Sequence, residues 1–140
     1  MFRKILPLFL ASLGLILAAC SDTINGKAIA APKVEVFYEQ LAKNDATAMF
    51  EASHPDFKKA ITQEKWAQLV GAIHRKLGKN KTHTMTGWNT KTHNMTTRAV
   101  MVFQSEYEHG TATESFTYIV ENGQASLLGY QINSFDMLVK

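Results

Sequence analysis

Apolar side chains at Val34, Phe37, Tyr38 and Leu41 fall at the i, i+3, i+4, i+7 spacing of one helical face. Pro32 suits the first position of that helix, which therefore predicts an ordered domain beginning there. The helix is expected to stop near Asn44-Asp45, and Asp45 can cap a short second helix carrying Ala46, Met49 and Phe50. His54-Pro55 ends that second helix, because a residue before proline is pushed out of the α region. The longest apolar stripe, Trp66, Leu69, Val70, Ile73 and Leu77, lies between Thr62, a good N-cap, and Gly78, a good terminator. Glu64 in its first turn and Arg75 and Lys76 in its last turn complement the helix dipole. From residue 81 the pattern turns to strands, over 82–88, 97–107, 112–121 and 125–135. Glu108-His109-Gly110 and Asn122-Gly123 read as turns, and Asn-Gly is the strongest short hairpin indicator in the chain. Helices followed by an antiparallel meander of about four strands make an α+β fold, with the N-terminal helices packed on a curved sheet.

The N-terminus obeys a different pattern. Arg3 and Lys4 precede an apolar run from Ile5 to Leu17, which is shorter than the roughly 20 residues a membrane span requires. The run ends in Leu17-Ala18-Ala19-Cys20, and Cys20 is the only cysteine of the chain. This segment resembles a bacterial lipoprotein signal peptide. The resemblance implies removal of residues 1–19 by cleavage between Ala19 and Cys20, and acylation of Cys20 as the new N-terminus. Two or three acyl chains hold a protein where one anchors only marginally. Ser21 is not the aspartate associated with inner-membrane retention, so the implied location is the outer membrane, facing the periplasm. Residues 20–31 then act as lipidated cysteine and flexible tether, and 32–140 as a single domain.

Processing alters the charge argument. The whole chain carries +3, but loss of Arg3 and Lys4 leaves 13 basic against 12 acidic side chains. That balance and the expected compartment disfavour a nucleic-acid binder. With one cysteine no internal disulfide can form, so the domain rests on its core. Charge is instead segregated along the chain. Nine basic residues and one acid lie between Lys58 and Arg98, against five acids and one lysine from Ala99 onward. Lys58, Lys59, Lys65, Arg75, Lys76 and Lys79 form a candidate interaction face for an envelope protein or an anionic surface. A solvated face that keeps the protein soluble is the simpler account.

Val100-Met101-Val102-Phe103, the Glu114-Ser-Phe-Thr-Tyr-Ile-Val strand and Leu128-Gly129-Tyr130-Gln131-Ile132 follow a Trp-bearing helix that ends in Leu77-Gly78. This order, over residues 34–135, resembles small secreted bacterial domains of unassigned function in the nuclear transport factor 2-like, cystatin-like superfamily. The resemblance implies a cone, a curved sheet wrapped around helices, with Glu114, Tyr130 and Trp66 near a possible cavity. Superfamily enzymes place a carboxylate or histidine in a dry cavity for acid–base work. Here Asp45 reads as a helix cap, His54 as a loop or cap residue, and Tyr130 as a core aromatic whose hydroxyl reaches the rim. Glu114 is expected at the surface beside a basic cross-strand partner, with the cone interior as the alternative.

No catalytic residue, cofactor or metal follows from spacing. His54, His74, His83, His93 and His109 lack zinc-site spacing, although His83 and His93 would meet across a hairpin turning near Trp88-Asn89. There is no Gly-rich phosphate loop and no serine elbow. The reading is a non-enzymatic, lipid-anchored binding or interaction module of the envelope, immunity-like in one version. The alternative is a small cone-fold enzyme or carrier for an apolar molecule, which needs a dry cavity of about 300 Å³ or more bordered by Glu114 and Tyr130. An interior filled by Trp66, Phe103 and Phe116 would count against it.

Overall fold

A computed structural model describes residues 25–140; the cleavage and acylation expected at Ala19 and Cys20 lie outside the described residues. Four helices come first: α1 (Gly26–Ala42), α2 (Ala46–Glu51), α3 (Pro55–Ala60) and α4 (Gln63–Leu77). Four strands follow, β1 (Asn80–His93), β2 (Thr96–Tyr107), β3 (Gly110–Glu121) and β4 (Gln124–Asn133), and α5 (Phe135–Val139) closes the chain. The strands form one antiparallel sheet in the order β1-β2-β3-β4, the meander expected of an α+β fold. Ladder irregularities at Asn80/Thr82, Met85/Gly87 and Thr117/Tyr118 mark the places where such a sheet bends. No helix among the described residues is long and apolar enough to cross a membrane.

Local chemistry explains most of these boundaries. The Asp45 carboxylate accepts from Ala48 N at 3.1 Å and the Thr62 hydroxyl from Lys65 N at 3.2 Å, capping α2 and α4. Gly78 ends α4 at φ 77°, a left-handed conformation that favours glycine. His54 does more than end α2: its Nδ1 accepts from Asp56 N and caps α3, with Pro55 in the first turn. Helix α3 had no periodic stripe to reveal it.

Two expectations are corrected. Helix α1 starts at Gly26 behind the Asn25 cap, so residues 26–31 belong to the helix rather than to a tether, and Pro32 lies inside it. The proline removes one backbone hydrogen bond, and burial of Gly26 and Ala30 ahead of it holds the first turns in place. The first hairpin does not turn near Trp88-Asn89. Strand β1 runs on to His93 and turns at Asn94-Met95, so His83 and His93 sit at opposite ends of one strand and cannot share a ligand.

The core lies between the helices and the inner face of the sheet. Alternate residues Thr97 to Tyr107 of β2 and Ala112 to Val120 of β3 are buried there, as the two-residue period requires. Val34, Phe37, Tyr38 and Leu41 of α1 and Trp66, Val70, Ile73 and Leu77 of α4 pack onto them. Among the described residues, no helix covers the outer face.

Candidate functional site

Glu114 occupies the inner face of β3, opposite Phe103 of β2 and Ile132 of β4, and is 0% exposed. The outward orientation expected for it is therefore wrong, and among the described residues no basic side chain pairs with it. The sheet period decides the matter, because Ala112, Phe116 and Tyr118 face inward and Glu114 shares their parity. A buried carboxylate costs several kcal/mol unless its oxygens are engaged. Here three tyrosine hydroxyls engage them. Tyr38 of α1 donates to Oε2 at 2.6 Å, Tyr107 of β2 donates to Oε1 at 2.9 Å, and Tyr130 of β4 donates to Oε1 as well. The Tyr38 oxygen also meets Ser105 Oγ at 2.9 Å. Each phenol spends its single proton on Glu114, so the carboxylate is the common acceptor. Hydrogen bonds to a charged group contribute about 1.5–3 kcal/mol each, enough together to offset the burial.

The same closeness controls the phenols. Burial first, and the charge of Glu114 second, push the ionisation of Tyr38, Tyr107 and Tyr130 well above the ordinary tyrosine range. They remain donors, and none is poised as a base. Tyr130 therefore turns its hydroxyl to Glu114 rather than to the rim. Rings close the surroundings: Phe37 lies edge-on to Phe116 at 4.9 Å, Phe103 to Phe116 at 5.6 Å, and Trp66 to Tyr130 at 5.9 Å. The Trp66 indole N–H is buried without a partner.

At the edge of this cluster His83 of β1 stacks on Tyr38, with centroids 4.1 Å apart. Its Nδ1 meets Asn80 Oδ1 and its Nε2 meets Glu35 Oε1, both at 2.8 Å. The Asn80 amide nitrogen donates to the carbonyls of Thr82 and Glu106, which leaves its oxygen facing the ring. Both ring nitrogens thus face oxygen atoms of neighbouring side chains.

Among the described residues, a half-open pocket of about 90 Å³ lies beneath α1, bordered by Phe37, Gln40, Met49 and Leu127. Larger depressions of about 280 to 500 Å³ include two on the uncovered sheet face, one bordered by Lys91 and Arg98 and one by Ser115 and Gln131. Glu114 borders none of them.

The expected basic face is dispersed. Lys58 donates to the Glu51 carbonyl and Lys59 pairs with Asp56 at 2.9 Å, both on α3. Lys76 is half-buried and donates to the Met137 carbonyl, clasping α5 to α4. Lys65, Arg75 and Lys79 are exposed along α4 and its exit, a helix about 22 Å long. Of the three residues expected to share a cavity, Glu114 and Tyr130 are in contact and Trp66 packs on Tyr130, within filled space. Tyr38, Ser105 and Tyr107 were not anticipated. The hairpin register carries an indication of two of them, since Ser105 and Tyr107 share the face of Phe103, which pairs with Glu114.

Residues 34–130 match the model of a family described as "Protein of unknown function (DUF4019)", a stretch that contains every member of the tyrosine–carboxylate cluster. No curated protein matches the chain.

Proposed function

Because the chain belongs to the DUF4019 family, whose description names no activity, we propose a function from the molecule itself: a lipid-anchored, non-enzymatic binding or interaction module of the bacterial envelope. It is held through acylated Cys20 at the outer membrane facing the periplasm, and built as a small cone of the nuclear transport factor 2-like, cystatin-like kind. The observation that carries this reading is the closure of Glu114, whose two oxygens are engaged by three hydroxyls inside a packed aromatic interior. The one buried carboxylate among the described residues is spent on the fold, which leaves the surface for partners. Exposed apolar side chains support an interaction role: Trp88 and Met95 on the first hairpin, and Phe135, Leu138 and Val139 on α5. The carrier alternative requires a dry cavity bordered by both Glu114 and Tyr130, whereas Tyr130 borders a half-open depression of about 380 Å³ and Glu114 borders none of the pockets among the described residues.

Fractionation of producing cells tests the anchor. Wild type should stay with membranes through a high-salt wash, and Cys20→Ala should be released; wild type that washes off overturns the anchor. Crosslinking on the washed membranes should then yield a stoichiometric protein partner. Stoichiometric binding of an apolar small molecule by purified protein, abolished in Glu114→Gln, would overturn the module in favour of the carrier.

A further inference from the structure

The β1–β2 hairpin carries three features that the fold itself does not repay. Its turn, Asn94-Met95, places both residues at positive φ, 47° and 63°. The β3–β4 turn at the same end of the sheet has the same conformation, 50° and 71°, but uses Asn122-Gly123. Glycine adopts it freely, whereas a long L side chain is strained there. Met95 is 83% exposed, so its side chain recovers nothing by packing. Next, Lys91 stands directly opposite Arg98 across the ladder. Like charges so placed repel, neither has an acidic partner among the described residues, and both line the depression of about 280 Å³ with Asn89 and Val100. Finally, Trp88 is 54% exposed on edge strand β1, with Lys27 Nζ 4.8 Å from its ring centre.

Trp88 lies on the inner face of the hairpin, beside the point where the chain arrives from its N-terminus, and Lys91 and Arg98 lie on the outer face of the same hairpin. Lys27 belongs to the first turn of α1, and Gly26 packs against Thr90 and Thr97 of the hairpin. Asn25 is five residues after Cys20, a distance of at most about 18 Å. We propose that the hairpin from Trp88 to Arg98 lies edge-on against an anionic lipid surface, with Lys91 and Arg98 holding headgroup phosphates and Trp88 and Met95 entering the headgroup–acyl boundary. The inference rests on the reading that Cys20 is acylated. Trp at an interface keeps its ring in the apolar layer and its N–H in the wet one, and basic side chains near the surface add salt-sensitive attraction. The acid nearest in sequence register, Glu121, is held by the Thr96 hydroxyl at 2.8 Å. The other exposed apolar group, on α5, sits at the opposite end of the sheet beside Thr111 and does not compete for the same surface.

The test uses mature, lipidated protein in vesicles of phosphatidylglycerol and phosphatidylethanolamine with brominated acyl chains. The chain has two tryptophans, and Trp66 is 1% exposed, so the difference between wild type and Trp88→Phe isolates Trp88. Trp88 emission should shift to the blue and be quenched by bromine. The double variant Lys91→Ala, Arg98→Ala should lower the ratio of seated to free hairpin roughly 30-fold, and Met95→Gly, which keeps the turn, should weaken quenching too. Protein that floats with the vesicles while Trp88 emission stays unchanged overturns the seating and leaves the anchor standing. Equal quenching in pure phosphatidylcholine overturns the anionic surface. Wild type that does not float overturns the anchor, and the seating with it.

Discussion

The centre of the sheet and the end of its first hairpin treat polar groups in opposite ways. Around Glu114 all three tyrosine hydroxyls meet the carboxylate, aromatic rings pack about them, and a charge without a basic partner is held by neutral hydroxyls. Around Met95 two cations face each other, a tryptophan stands half in solvent, and a methionine holds a glycine's conformation. The first region is complete without any partner. The second holds groups that the fold itself leaves unsatisfied, and stability has been given up there.

The contrast can be broken at either side. Glu114→Leu should have the largest effect, about 3–5 kcal/mol, because it strands buried hydroxyls of Tyr107 and Tyr130 and loosens Tyr38; a urea midpoint near that of wild type would show the cluster to be dispensable. Alkali should come next. Tyrosines of the unfolded chain ionise near pH 10, whereas Tyr38, Tyr107 and Tyr130 hold their protons in the fold. The unfolded state therefore binds fewer protons above pH 10. Stability should be unaffected by these groups below that pH and fall by about 1 kcal/mol per tyrosine between pH 10 and 11, read from denaturant midpoints. The two turns should then diverge in sign. Gly123→Val should cost about 1 kcal/mol or more at φ 71°, and Met95→Gly should raise stability by up to about 1 kcal/mol; melting shifts of opposite sense check this, and a destabilised Met95→Gly would mean that the Met95 side chain supports the fold. Smallest of all, Lys91→Ala should stabilise the free domain by a few tenths of a kcal/mol through relief of its repulsion with Arg98. A loss of stability in low salt would remove that pair from the argument.

Those elements whose local signals agreed were readable from the residues alone. Helix α4 runs between Thr62 and Gly78 as its caps and stripe required, and the Asn122-Gly123 turn sits where it was expected. The second half of β1 was hidden because an edge strand with both sides wet has no alternation to show; Thr90, Lys91, Thr92 and His93 fell between the strands expected at 82–88 and 97–107. Its turn was hidden because Met95 stands where glycine would have announced it. The first turns of α1 carried a glycine and no amphipathic stripe. Glu114 and Tyr130 could be named, but not their meeting with Tyr38. That contact spans 76 residues of sequence, and Tyr38 looked like one more member of an apolar stripe. Helix α5 was not anticipated, and the final strand was expected to run to 135; Ser134, which caps the helix by accepting from Met137 N, is held by a bond to Thr111 that only the fold supplies.

The ring of donors about Glu114 also bears on how the chain assembles. Its members come from α1, β2, β3 and β4, so no subset of these elements can bury the carboxylate cheaply. Docking α1 onto the sheet brings the last hydroxyl, and with it closure of a loop of 76 residues. Half-formed species are thereby penalised, and release of the helix alone carries nearly the cost of losing the sheet. Amide exchange along α1 and β3 should accordingly proceed through one common opening, with the domain present in the cell either whole or fully open to proteases.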